Sequence, residues 1–282
     1  MIDYYLLLKP GIIMGNLVTF AAGFLLASGA EFDLRLFVMA LLGLSLIIAS
    51  ACVFNNFIDR KLDQKMSRTK KRPLARGSIS GQSAMLFGVL LYLGGNAVLA
   101  IETPKLAVVL ANVGFVIYVF VYSFIKTRTS WSTLIGSVSG AIPPVVGYAA
   151  VSGRLDTGAV LLFAVLILWQ MPHFHSIALW HIQDYSRAGV PLLPISEGAH
   201  KTMWHISLYI AALIPAVCLL TFYGYTGVLF AVVVSLIGLF WLYFSLKGFY
   251  ATSTSRWAKQ MFRISLVMIN AISVLCIFDR GM

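Results

Sequence analysis

The sequence predicts an all-α fold, a polytopic membrane bundle of about nine transmembrane helices, and three observations predict it. Of the 282 residues, 60% are hydrophobic and 11% are charged, with a mean hydropathy of +0.88. Soluble domains carry roughly 25% charged residues. The apolar residues run in unbroken stretches of span length, whereas barrel strands would alternate in short segments. The connections between these stretches alternate between strongly and weakly basic. In lipid only helices or closed barrels satisfy their backbone, so residues 1–282 read as a single transmembrane domain.

A span needs about 20 mainly apolar residues. The first, 7–28, follows "MIDYYLLLKPG", which lacks the charged start and small-residue cleavage site of a signal peptide. It reads as the mature end of the chain. The second, 34–57, runs directly into the polar stretch "NNFIDRKLD" (55–63). Spans at 80–101, 105–125 and 131–151 follow, then 157–180, which contains "WQMPHFHSI". The last three, 203–223, 226–245 and 261–279, carry only generic apolar sequence. Gly11/Gly15 and Gly136/Gly140 stand at the spacing that lets helices approach closely. Cys52, Cys218 and Cys276 fall in separate apolar segments with no CxxC spacing, and read as small buried side chains.

Charge gives the orientation. Lys9, Arg60, Lys61, Lys65, Arg68, Lys70, Lys71, Arg72, Arg76, Lys126, Arg128, Arg187, Lys201, Lys247, Arg256, Lys259 and Arg263 fall on one side. Arg35, Lys105, Arg154 and Arg280 fall on the other. The positive-inside rule places the N-terminus and the two long connections, about 59–79 and 181–202, in the cytoplasm of a bacterial-type inner membrane. The C-terminus then lies on the opposite side. The net charge of +11 is mainly this topological signal. No aromatics interleave with the basic loop as a base-stacking surface would require, so nucleic acid is not an expected partner.

Asn55, Asp59 and Asp63 are four residues apart. On a helix each such step advances about 6 Å and drifts about 40°, which makes one curving polar stripe. Like charges one turn apart weaken a helix, and only Arg60 offers a local helical partner. Either a cation lies against the carboxylates or the stretch is a solvated helix end. A hard cation such as Mg²⁺ takes oxygen ligands, often one or two carboxylates completed by substrate phosphates and water. Three basic clusters share this edge: "RTKKRPLARGSIS" (68–80), "YSFIKTRTS" (122–130) and "HIQDYSRAGVPLLP" (181–194). Singly each could be a topological anchor. Together with the acids they point to a Mg²⁺–diphosphate site beneath a lipid-filled cavity. A transporter reading would need charges deep within several spans and inverted repeats, whereas these acids cluster at one edge.

"NNFIDRKLD" resembles the first Asp-rich motif, NxxxDxxxD, of the UbiA superfamily of intramembrane prenyltransferases. More narrowly, the chain resembles the protohaem IX farnesyltransferase (haem O synthase) family. The resemblance is carried by "KPGIIMGN" (9–16), "ACVFNNFIDRKLDQKMSRTKKRPLARGSIS" (51–80), "YSFIKTRTSWSTLIGSVSGAIPPVVGY" (122–148) and "WQMPHFHSIALWHIQDYSRAGVPLLP" (169–194). In the wider superfamily the second motif commonly has two acids four residues apart. Here Ala188 stands at that distance from Asp184, as in the haem-modifying branch. The alternative, a UbiA-type enzyme acting on a quinone-precursor ring or another lipid acceptor, fits "WQMPHFH" and "DYSRAG" less well.

The resemblance implies a UbiA-like fold and an enzyme that joins farnesyl diphosphate, haem b and water into haem O and diphosphate. It implies that Asn55, Asp59, Asp63 and Asp184 hold Mg²⁺, with Arg68, Arg72, Lys126 and Arg128 on the phosphate oxygens. The allylic cation left by diphosphate departure needs a dry cavity with π-faces and dipoles. Tyr118, Tyr122, Tyr148 and Phe174 are expected near the cytoplasmic side for this, beside the amide of Asn16, while Tyr185 belongs with the second acid. His173 and His175 stand within a span, and either could ligate haem iron or be satisfied by neighbouring helices. Two residues apart on a helix, they should point to different sides. His181 reads as part of the polar rim, and His200 and His205 as loop and interface residues. Downstream haem-modifying or oxidase-assembly proteins are further expected partners.

Overall fold

In the computed structural model, residues 2–29 and 31–279 are described; Arg280, counted above on the weakly basic side, lies outside them. Among the described residues there is no strand element, and nine helices are long and apolar enough to cross a membrane. They are α1 (Pro10–Ser28), α2 (Leu34–Asp63), α3 (Gly81–Glu102), α4 (Lys105–Ile125), α5 (Ser132–Ser152), α6 (Thr157–Trp180), α7 (Gly198–Phe222), α8 (Val228–Tyr250) and α9 (Thr254–Phe278). The protein is therefore an integral membrane protein.

Local chemistry starts these helices. Side chains of Asp33, Ser80, Asp156 and Ser253 accept hydrogen bonds from the free first-turn amides of α2, α3, α6 and α9. Pro10 opens α1, where its missing N–H costs nothing. Three helices outrun their apolar stretches. α2 continues to Asp63 rather than stopping near 57, α7 begins at Gly198 rather than near 203, and α9 begins at Thr254 rather than near 261. Hydropathy marks where the chain meets lipid, but the backbone ladder continues into water wherever a cap closes it. Residues 59–63 are thus helical rather than loop. The 181–202 connection contains Ile182–Ala188, Leu193–Ser196 and the start of α7, so His200 is helical rather than in a loop.

α2 packs along α3, α1 along α5, and α6 against both α7 and α9; α9 then returns to α1 and closes the ring. Phe20, Phe24, Leu44, Ile47 and Leu99 anchor the core of the first half. Leu162, Ile206, Leu213, Trp241 and Met268 anchor the second. The α1–α5 approach depends on glycine, since a Cβ at Gly23 would meet the Pro144 backbone and one at Gly147 the Phe20 carbonyl. Gly136 and Gly140 similarly admit the Tyr122 ring and the Gln170 amide. Gly11 and Gly15 face open space, so the close helix contact expected from their spacing is not made. At the end of the bundle that carries both long connections, Met66 from one packs with Ala188 and Val190 from the other.

Candidate active site

Asn55, Asp59 and Asp63 are 2%, 7% and 1% exposed, so the stripe is not a solvated helix end. A buried carboxylate without compensation is strongly unfavourable, and each member of the stripe has its own partner. Lys126, just past the end of α4, pairs with Asp59. Arg72 Nη1 donates to both oxygens of Asp63, at 2.9 and 3.0 Å. Lys9 Nζ donates to Asn55 Oδ1 at 2.5 Å, and Asn55 Nδ2 donates to Ser123 Oγ at 2.9 Å. Arg60, the local helical neighbour, instead donates to the Phe57 carbonyl at 2.6 Å, its guanidinium 4.2 Å from the Phe57 ring centre.

α4 reaches this site through a π-helical segment, Ile117–Tyr122. Such segments are rare and concentrate at functional sites. It stacks Tyr118 on Tyr122 at 5.5 Å, and Lys126 Nζ lies 5.4 Å from the Tyr122 ring centre.

Asp184 joins from the second connection. It accepts hydrogen bonds from the Ser67 hydroxyl, the Ser67 amide at 3.2 Å and the Arg68 amide at 3.3 Å, with Arg187 at 3.6 Å. The Ser67 hydroxyl holds its carboxyl below the usual carboxylate range, outweighing burial. Arg68 Nη2 donates to Tyr185 OH at 3.3 Å. One loop, 64–72, thus meets both acidic motifs: Ser67 and Arg68 take Asp184, and Arg72 takes Asp63. Burial, then the Arg68 charge, lowers the His181 imidazole against the opposing pull of Asp184.

The remaining expected residues divide. Arg128 is exposed and forms no ion pair among the described residues. Asn16 donates to the Ile12 carbonyl of its own helix at 2.7 Å. His173 Nδ1 meets Ser265 Oγ of α9 at 2.7 Å. His175 faces α7, 6.1 Å ring to ring from His205, and its buried Nε2 has no hydrogen-bond partner among the described residues. The two imidazoles do point to different helices. Phe174 lies edge-on to His173 at 5.5 Å. Tyr148 does not lie with Tyr118 and Tyr122. Its hydroxyl donates to Asp156 at 3.0 Å, at the start of α6, because α5 has by then crossed to the other end. Sequence reasoning did not assign Lys9, Ser67, Ser123 or Ser265 to a site. Their partners are 46 or more residues away, and no spacing encodes them.

Among the described residues, no three His, Cys, Asp or Glu side chains group closely enough to hold a metal ion by themselves. The donor set nevertheless suits a hard cation completed by phosphates: carboxylate and amide oxygens along one helix, already compensated by the positive charges of Lys9, Arg72 and Lys126. Chemically, the arrangement can hold a polyanion at the membrane edge beneath an aromatic wall.

Residues 16–267 match the model of the UbiA prenyltransferase family. The chain is 50% identical over 280 residues to a protein named protoheme IX farnesyltransferase from Protochlamydia amoebophila (strain UWE25), covering 99% of each chain. Its fold matches a digeranylgeranylglyceryl phosphate synthase with a TM-score of 0.80 at 18% identity, covering 98% of both chains. It also matches a UbiA homologue from Archaeoglobus fulgidus bound to GPP and Mg²⁺, with a TM-score of 0.69 at 17% identity, over 98% of this chain and 99% of that one. A family match across most of the chain, half-identity to a relative covered almost end to end and a shared fold agree: the chain belongs to the UbiA prenyltransferase family.

Proposed function

We propose that this protein transfers a farnesyl group from farnesyl diphosphate to a vinyl group of haem b, with addition of water, giving haem O and diphosphate. The reading is supported by the name of its half-identical relative. The observation that carries it on this chain is the buried row Asn55–Asp59–Asp63 with its cations Lys9, Lys126 and Arg72 at one mouth of the bundle.

The carbon–oxygen bond of the allylic diphosphate must break, and negative charge grows on the departing oxygens. Asn55, Asp59, Asp63 and Asp184 would hold Mg²⁺, which would supply Lewis-acid neutralisation of that charge. Arg72 and Lys126, now bound to acids, turn toward the phosphates, with Arg68 and Arg128 at the rim. Tyr118 and Tyr122 present stacked π-faces beside the same acids, where they stabilise the cation. The packed helices exclude water until the acceptor has reacted. His173 or His175 meets the haem, Asn16 lines the cavity from α1, and Tyr185 fixes Arg68.

The N-terminus and both long connections face the cytoplasm of the inner membrane and the C-terminus faces away, which places diphosphate release in the cytoplasm. Haem O, too apolar to leave the bilayer, passes to downstream haem-modifying or oxidase-assembly proteins. Haem extracted from cells expressing the intact chain should contain a new, more hydrophobic species, absent with Asp63→Asn. An unchanged haem profile, with the prenyl label appearing on 4-hydroxybenzoate instead, would replace haem b as the acceptor.

A further inference from the structure

The last third of the chain carries none of the motifs used above, yet α9 completes a run of rings along α6. His173 stacks on Trp169 at 4.8 Å and lies 5.0 Å from Phe262. Phe262 is 5.7 Å from Trp180, which stacks on His181 at 4.4 Å. From His173 to His181 the run covers about 12 Å of helix. His173, Trp180, His181 and Phe262 are all partly exposed, so ring surface is presented rather than buried.

Arg256, Lys259 and Arg263 occupy one stripe of α9, at steps of three and four residues. All three are exposed, and none forms an ion pair among the described residues. Lys259 Nζ is held 5.1 Å from the Trp180 ring centre, which ties the cationic stripe to the ring run. At the far end of the run, His181 stands three residues before Asp184. Apolar ring faces, an imidazole and unpaired cations along one edge together complement a flat, apolar dianion.

We infer that the α6–α9 rim is the acceptor seat, with the haem b macrocycle against His173, Phe262 and Trp180 and its two propionates on Arg256, Lys259 and Arg263. This deepens the farnesyl-to-haem reading and rests on it. The seat ends beside Asp184, so acceptor and prenyl diphosphate meet at the cytoplasmic edge rather than at opposite ends of the bundle. A stripe of cations can also anchor anionic lipid headgroups, and the test separates the two.

The purified protein in zwitterionic nanodiscs is titrated with haem b and, separately, with haem b dimethyl ester, which keeps the macrocycle but lacks both carboxylates. Soret absorbance and quenching of tryptophan fluorescence report binding. Wild type should prefer the diacid by about tenfold to a hundredfold, as charge-assisted hydrogen bonds allow. Arg256→Gln/Lys259→Gln/Arg263→Gln should bind both forms equally, at the wild-type ester's affinity, while still binding farnesyl diphosphate. Should the triple variant fail to fold, Lys259→Gln alone should lose a severalfold share of the preference. A preference retained in the variants, or absent from wild type, would overturn the seat while leaving the reaction standing. Wild type that binds no haem would overturn the reaction and the seat together.

Discussion

Two groups of basic side chains stand at the same end of this bundle and are built in opposite ways. Around α2, Lys9, Arg72 and Lys126 are committed to Asn55, Asp63 and Asp59, and the acids are almost wholly buried. Along α9, Arg256, Lys259 and Arg263 are exposed, with no acid against them. In the first group two acids offset two of the three bases and Lys9 is held by an amide, so its charges can serve a ligand only by exchanging partners. A metal–diphosphate complex permits that exchange, since it brings cation for the acids and anion for the bases at once. The second group has nothing to exchange and accepts an anion directly. The difference teaches that paired charge marks a site for a ligand that brings cation and anion together, and unpaired charge a site for a bare anion.

Removing the metal should have the largest effect. With excess chelator the α2 acids remain bound to their own bases, and haem O formation in membranes should stop and return on adding Mg²⁺. Turnover that persists in chelator would break the comparison outright. Next is Lys126→Met, which strands Asp59 at 9% side-chain exposure. Breaking a buried pair this way costs about 3–5 kcal/mol, measurable as a lowered thermal midpoint in detergent. Asp59→Asn/Lys126→Met should recover most of that stability and none of the activity, as expected of two coupled residues. A smaller loss, about 1–3 kcal/mol of overpacking strain, is expected of Gly140→Ala, whose new methyl meets the Gln170 amide. A thermal midpoint equal to wild type would show that Gln170 can swing aside.

The sequence displayed the membrane fold almost completely, because apolar length and loop charge are local properties. Where it misled, the reason was equally local. α9 runs on from Met261 back to Thr254 through Lys259 and Arg256, which hydropathy counts as the end of a span. The acids Asp59 and Asp63 were legible through their four-residue spacing, and the third acid, Asp184, through its resemblance to a motif. Their partners were not. Lys9 meets Asn55 because Pro10 and a left-handed Lys9 (φ 53°) turn the chain at the start of α1, and nothing in the pattern announces that. Ser67 reaches Asp184 only because Met66 packs on Ala188 and Val190. Tyr148 stands near the far end of α5 from the acids, a depth that its presence in an apolar span does not reveal.

The smallest effect tests the α6–α9 side of the comparison. Ser265 Oγ donates to the Phe262 carbonyl at 2.6 Å and contacts His173 Nδ1 at 2.7 Å, while its own carbonyl accepts from Trp169 Nε1 at 2.7 Å. Ser265→Ala removes only the hydroxyl. The Trp169 bond to the backbone remains, so the helices should stay in contact and stability should fall by about 1 kcal/mol, the net value of one hydrogen bond. The His173 ring, held by stacking alone, should then lose its fixed orientation, and haem affinity should fall while farnesyl diphosphate affinity does not. Ser265→Thr, which keeps a hydroxyl, should restore the ring. If haem and farnesyl diphosphate affinities fell equally in Ser265→Ala, the two regions would be one coupled site, and their contrasting charge would have to arise from packing rather than from separate ligands.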